Sequence, residues 1–241
     1  MVSEHLAETT KTVQLCCDRI TRIAAGLVLG SVLLSGCVPP PAPSGFQALT
    51  DTMPPCWHMV CPSETTIPRV EEILASVPGI GGIKTFFPTE ERPGAPYTTW
   101  LSAPAPGNVN VSGSCYYRDG TVIYCDISTA GLKLKHVIER YGDPEAVAFV
   151  EKWGDGRMLT YYILYPQRGL VVVYADLHWS SAESIKLKST TRIDALIIYD
   201  PNSYEELTGG PEFYMFGPFH DEIKRTQRPW QGYGVYEYDA P

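Results

Sequence analysis

Apolar side chains recur at helical spacing twice along the chain, and each time a series of strand-like segments follows. Ile67, Val70, Ile73, Leu74 and Val77 share one helical face, behind the capping hydroxyls of Ser63-Glu64-Thr65-Thr66 and before the stop at Pro78-Gly79. Pro68 fits the first turn of such a helix. Segments 80–87, 97–101, 109–117 and 121–127 then have the length and the β-branched or aromatic content of strands, with a loop over 88–96 and a tight turn at Asp119-Gly120. The second cycle repeats the order. Leu134, Val137, Ile138 and Tyr141 match the stripe of Val70, Ile73, Leu74 and Val77 at an offset of 64 residues, Gly142-Asp143-Pro144 is the stop, and strands are expected at 146–153, 158–165, 170–177 and 192–199. Short links between strands imply antiparallel meanders. The expectation is an α+β chain of two tandem modules, 56–130 and 131–209, each with one helix packed on a four-stranded meander. They meet near 128–132, with Val70, Ile73, Leu74, Leu134, Val137 and Ile138 buried.

Both flanks depart from this periodicity. The apolar run 23–34 is too short to span a bilayer, which needs ~20 apolar residues, and has the length of a signal-peptide core. It closes on Leu34-Ser35-Gly36-Cys37, which resembles the lipobox of bacterial lipoproteins. That resemblance implies that 1–36 are a signal peptide and that Cys37 is the diacylated first residue of the mature chain. The segment before Ile23 is long for a signal peptide and its charges balance, which a start further downstream explains. Val38 is not the aspartate that resembles an inner-membrane retention signal. Residues 37–55, rich in proline, form a stiff tether. At the other end, 210–241 hold Phe213, Tyr214, Phe216, Phe219, Trp230, Tyr233, Tyr236 and Tyr238 among glycines and prolines. They read as a tail docked across a sheet; the functional reading makes Trp230, Tyr233, Tyr236 and Tyr238 a possible binding surface for a peptide or glycan.

Hydrophobic residues at 44% and charged residues at 19% belong to a folded chain. The net charge is -8, and the six charged residues before Cys37 cancel, so the mature part carries all of it. Nucleic acid and anionic lipid are thereby disfavoured as partners. Membrane association then rests on the acyl chains of Cys37, facing outside the cytoplasm, with an envelope protein or glycan as the further partner.

Thr65 through Leu74, the stretch LKLKHVIERYGDP at 132–144, LYPQRGL at 164–170 and WQGYG at 230–234 resemble an uncharacterised family of bacterial lipoproteins. The unit of helix and Gly-x-Pro stop is also similar to the small α/β module of outer-membrane assembly lipoproteins and of the β-lactamase inhibitor protein, which carries it in tandem. Lys133 stands where that pattern has a capping Ser or Thr. The resemblance implies a fold and supplies no functional residue.

No catalytic signature is present: there is no Gly-x-Ser-x-Gly, no phosphate loop and no His-Glu-x-x-His, and Gly79-Ile80-Gly81-Gly82 follows a helix and not a strand. His58, His136, His178 and His220 are not at metal-ligand spacing, and no cofactor is expected. His220-Asp221-Glu222 is the one cluster suited to a cation, although adjacent residues point apart. The sequence reads as a non-catalytic protein- or envelope-binding module. The alternative is a surface hydrolase with a dispersed site, which a pocket converging on His58, Asp221, Glu222 and a cysteine thiol would favour.

Cys56, Cys61, Cys115 and Cys125 predict two disulfides in an oxidising compartment. Pairing neighbours is simplest, yet a two-residue turn at Asp119-Gly120 sets Cys115 opposite Tyr124 and turns Cys125 to the other face. A three-residue loop leaves the two cysteines diagonal at ~7–8 Å, and only a bulge or a longer loop joins them. The expectation is therefore long-range bridges tying Cys56 and Cys61 to the hairpin, closing loops of ~60 residues worth about 4 kcal/mol.

Overall fold

Asp119 and Gly120 both have positive φ, +52° and +79°, the backbone of a two-residue type I′ turn, and Arg118 faces Thr121 across it. A computed structural model of the protein describes residues 54–90, 94–102, 112–129, 131–153, 157–176, 184–209 and 220–237. Residues 1–36, expected as a signal peptide, Cys37, most of the expected tether, His178, Tyr238 and the aromatic residues of 210–219 lie outside the described residues.

From that turn the register runs regularly to Tyr117 opposite Val122, then shifts, so that Tyr116 faces Tyr124 and Cys115 faces Cys125. Ile123 is the extra residue of a β-bulge. The bulge corrects the disulfide expectation. Cys115 pairs with Cys125 at a Cα separation of 4.0 Å and Cys56 with Cys61 at 4.3 Å, so no bridge ties the entry loop to the hairpin. Both partners of the hairpin disulfide are completely buried. Peptide mapping without reductant is expected to yield the linked Cys115–Cys125 peptide; a peptide joining Cys56 or Cys61 to either would contradict the bulged register.

The described strands are β1 (Ile80–Phe86), β2 (Tyr97–Ser102), β3 (Gly113–Arg118), β4 (Thr121–Ser128), β5 (Ala146–Trp153), β6 (Arg157–Tyr165), β7 (Leu170–Asp176), β8 (Ser184–Leu187), β9 (Ala195–Tyr199), β10 (Arg228–Pro229) and β11 (Gly234–Glu237). Nine form one antiparallel sheet in the order β1-β2-β3-β4-β9-β7-β6-β5-β10. Two separate meanders were expected; instead β9 pairs with β7 on one side and β4 on the other, making the sheet continuous. The remaining pair, β8 and β11, forms a two-stranded ribbon.

Helices α1 (Ile67–Ser76) and α2 (Leu134–Tyr141) cover the same face of the sheet. Each begins against a loop and not under a side-chain cap. The Ile67 N–H donates to Gly120 O at 3.1 Å, and Thr66 forms a bridge to Thr121. The Leu134 and Lys135 N–H groups donate to Thr191 O and Ser189 O, and Lys133 forms a bridge to Arg192. These carbonyls take up amide donors that a helix start leaves unsatisfied, which is how Lys133 stands in a capping position. Val70, Ile73, Leu74, Leu134, Val137 and Tyr141 are buried with Trp57, Trp100 and the ribbon's Ile185, Leu187 and Tyr236. Ile138, expected in the core, is only half-buried because it flanks the stripe of Leu134, Val137 and Tyr141. Ile73→Ala is expected to cost ~2–5 kcal/mol in chemical unfolding and Ile138→Ala distinctly less; equal losses would contradict this packing.

On the opposite face, α3 (Tyr204–Gly209) and α4 (His220–Thr226) pack chiefly on the half built from β5, β6, β7 and β9, through Leu207 and Ile223; Tyr124 of β4 joins the same buried cluster, and Glu206 of α3 reaches Arg118 of β3. Strands there are buried on both faces, whereas β1 to β4 keep an alternating pattern.

Candidate functional site

Alternation in β2, β3 and β4 sends Thr98, Trp100, Cys115, Tyr117, Val122, Cys125 and Ile127 inward. The intervening residues, Tyr97, Thr99, Leu101, Ser114, Tyr116, Tyr124, Asp126 and Ser128, face the opposite side, where Tyr124 is buried with Leu207 and Ile223 and the others are half-buried or exposed. Register then does what sequence spacing does not show. Phe86, Tyr97, Tyr116, Tyr124 and Tyr199 lie directly opposite one another across five neighbouring strands. The first four rings stack in series, with centroids 5.0, 5.7 and 4.5 Å apart and planes within 19° to 29° of parallel. Separations close to the strand spacing mean that the ring faces are turned toward their neighbours and the edges outward. Tyr204 of α3 closes the inner end by packing on Tyr199 at 5.8 Å. At the outer end Phe86 is 37% exposed on strand β1, the edge of the sheet.

The adjoining row, one step along the strands, is small and polar: Lys84, Thr99, Ser114 and Asp126, followed by Ile197. Here a shallow pocket of about 250 Å³ is lined by Thr99, Trp100, Leu101, Ser112, Gly113, Ser114, Asp126 and Ser128. Leu101 on its rim is 62% exposed. Asp126 is the unusual member. Its Oδ1 is buried without a hydrogen-bond partner, and burial pushes the carboxyl from 3.8 up to about 6. The Tyr116 hydroxyl, hydrogen-bonded to Ser114, is raised by burial and then by the Asp126 charge. Tyr162, on the covered half, is pushed up to about 12 by burial, with Asp126 and Glu222 adding to it.

The native fold therefore favours protonated Asp126. For an acid whose native pKa lies above its unfolded value, stability from this group is greatest below about pH 4 and falls as pH rises to about 6. Asp126→Asn is expected to raise stability at pH 7 by about 1–3 kcal/mol while leaving it nearly unchanged at pH 4. Urea unfolding at the two pH values checks this, and a variant less stable at pH 7 would contradict it.

None of the residues singled out from sequence lines this pocket. All four cysteines of the described region are in disulfides. His58 is half-buried, edge-on to Trp57 at 4.7 Å. His136 is half-buried beside the helix stripe, and its Nδ1 accepts from the Lys133 N–H at 3.4 Å. Asp221 is exposed and Glu222 half-buried in the first turn of α4, with Glu222 4.0 Å from Arg225. Among the described residues no three His, Cys, Asp or Glu side chains are grouped to hold a metal. Of the C-terminal aromatics, Tyr236 is buried, its hydroxyl donating to Gly232 O and accepting from the Gln231 N–H. Trp230 is half-buried, stacked on Tyr236 at 5.9 Å, and Tyr233 is 45% exposed.

The pocket can supply hydroxyl donors and acceptors and one carboxyl, beside exposed apolar carbon. No family model, no curated protein and no solved structure matches the chain.

Proposed function

We propose that this chain is an exported, lipid-anchored, non-catalytic binding module whose working surface is the face of β1 to β4 that carries the aromatic row and the pocket. The observation that carries the reading is the aromatic row laid beside a hydroxyl-lined pocket on a face where Phe86 and Leu101 are exposed. Exposed aromatic and aliphatic carbon gathered beside a pocket marks an interaction surface. The lipobox-like Leu34-Ser35-Gly36-Cys37 and the proline tether support attachment to a membrane through Cys37, and two disulfides in a small domain suit a compartment outside the cytoplasm. A charge of -8 argues against nucleic acid as the partner and for uncharged envelope material, protein or glycan.

The same reading takes the two helix and strand cycles as a tandem repeat fused through β4 and β9. It is supported by the matching bridges at Thr66 and Lys133, each made to the start of the cycle's last strand or the residues just before it. These bridges align Val70 with Val137 and Leu74 with Tyr141, an offset of 67 residues that replaces the 64 suggested by the stripes alone.

The test is made on full-length protein expressed in a bacterium. Mass spectrometry is expected to find a membrane-bound chain beginning at acylated Cys37, and Cys37→Ala to leave unprocessed precursor. In detergent, the acylated chain is expected to be retained on envelope material stripped of its lipid, and Leu101→Asp to release it. An unacylated chain overturns the anchor, and retention indifferent to Leu101→Asp overturns the binding surface.

A further inference from the structure

The pocket is built for hydroxyl groups. Thr99, Ser112, Ser114 and Ser128 each bring a hydroxyl that both donates and accepts, and Asp126 adds a carboxyl to the lining. No Lys, Arg or His lines it; Lys84, exposed at the far end of the polar row, is the nearest cation by register. A phosphate, sulfate or carboxylate would therefore meet a carboxyl and no counter-charge. An extended peptide fares poorly too, because β2, β3 and β4 are each paired on both sides and their backbone groups are committed to the ladder. The volume, below the range of drug-sized cavities, suits a single ring-sized unit. From Asp126 to Lys84 the polar row crosses three strand spacings, about 15 Å, flanked throughout by the aromatic row ending in Phe86.

We propose that this face binds an uncharged glycan: one sugar residue seats in the pocket and donates a hydroxyl to the Asp126 carboxyl, and its neighbours follow the polar row across β3 and β2 toward the Phe86 ring. Leu101 on one side and the aromatic edges on the other offer apolar contact to the C–H surfaces of the sugar rings. Binding energy comes from hydroxyl matching and these carbon contacts, not from charge. This rests on the binding surface proposed above and names its ligand class.

The experiment applies labelled full-length protein in detergent to an array of uncharged, sulfated, sialylated and amine-bearing glycans printed beside peptides. Signal is expected on uncharged glycans alone. Asp126→Leu is expected to weaken it at least about 10-fold, the worth of a hydrogen bond to a charged or polarised acceptor. Leu101→Asp, at an exposed position that leaves folding intact, is expected to weaken it comparably, whereas Asp126→Asn, which keeps an acceptor oxygen, retains most of it. Signal on sulfated or sialylated glycans, signal on peptides alone, or indifference to both Asp126→Leu and Leu101→Asp overturns the proposal. A blank array with retention on envelope material that Leu101→Asp abolishes overturns the glycan while leaving the surface; retention that ignores Leu101→Asp removes both.

Discussion

Replacing Gly169 by alanine is expected to cost about 4 kcal/mol or more, enough to lower the melting temperature by roughly 10 °C in a chain of this size. Gly169 follows the short 3-10 turn of Pro166–Arg168 and has φ +63° and ψ +40°, the left-handed conformation that side chains other than glycine resist. That alone costs about 1 kcal/mol. The larger part is steric. A Cβ would overlap the carbonyl oxygen of Tyr199 and stand 3.0 Å from Pro201 Cδ and 3.1 Å from Pro55 Cβ. The Tyr199 N–H donates to Gly169 O at 2.9 Å, so relieving the overlap breaks the contact that starts the β7 and β9 pairing. Gly120→Ala is the control: φ is +79° there, but nothing lies within 4 Å of the new methyl. Thermal unfolding of the two variants separates backbone strain from overlap, and equal losses would show that the contact at Tyr199 gives way freely.

The second large effect is expected at Trp100. Its ring is 1% exposed and stacks on Trp57 at 5.2 Å with planes 18° apart, holding the Cys56–Cys61 loop onto the sheet. Trp100→Ala is expected to cost about 3–5 kcal/mol. Gly113, opposite Trp100 on β3, has no side chain because the indole occupies that space; a Cβ there overlaps Cζ2 of Trp100 and lies 2.6 Å from the Asp126 carbonyl oxygen. Gly113→Ala is therefore strongly destabilising alone and less so after Trp100→Ala, which removes the indole and leaves the carbonyl contact. A double-mutant cycle by urea unfolding is expected to give coupling of about 1–3 kcal/mol, and additive losses would mean that the indole does not fill the glycine's space.

Much of the fold is written locally. The helical stripes, their Gly and Pro stops, and the positive-φ turn at Asp119-Gly120 are choices that neighbouring residues make together, and they stand where the pattern places them. The joining of two halves into one sheet is not local, because it depends on β9 finding β4 across an intervening meander. The disulfide pairing turned on one residue. Ile123 is as good a strand residue bulged as paired, so nothing in its identity announces the register shift that aligns Cys115 with Cys125. The candidate surface was hidden for the same reason. Phe86, Tyr97, Tyr116 and Tyr124 lie on four strands with a loop or turn between each, and only register brings them into a row. Asp126 at an outward strand position reads as an ordinary solvated carboxylate. Its burial, which raises its pKa, is set by packing beyond β4 that the sequence of the strand cannot report. The dense aromatics of 230–236 drew notice by their density, and Tyr236 there spends its ring on the core.

The placement of β9 also orders events during biosynthesis. β4 ends at Ser128, and the strand that pairs with its outer edge begins at Ala195, after β5, β6, β7 and β8 have been made. At about 5–20 residues per second, β4 waits several seconds with an unsatisfied row of amides beside its apolar positions. A first half that folds ahead of Ala195–Tyr199 is an open-edged sheet, prone to pair with another chain until that strand arrives to close it.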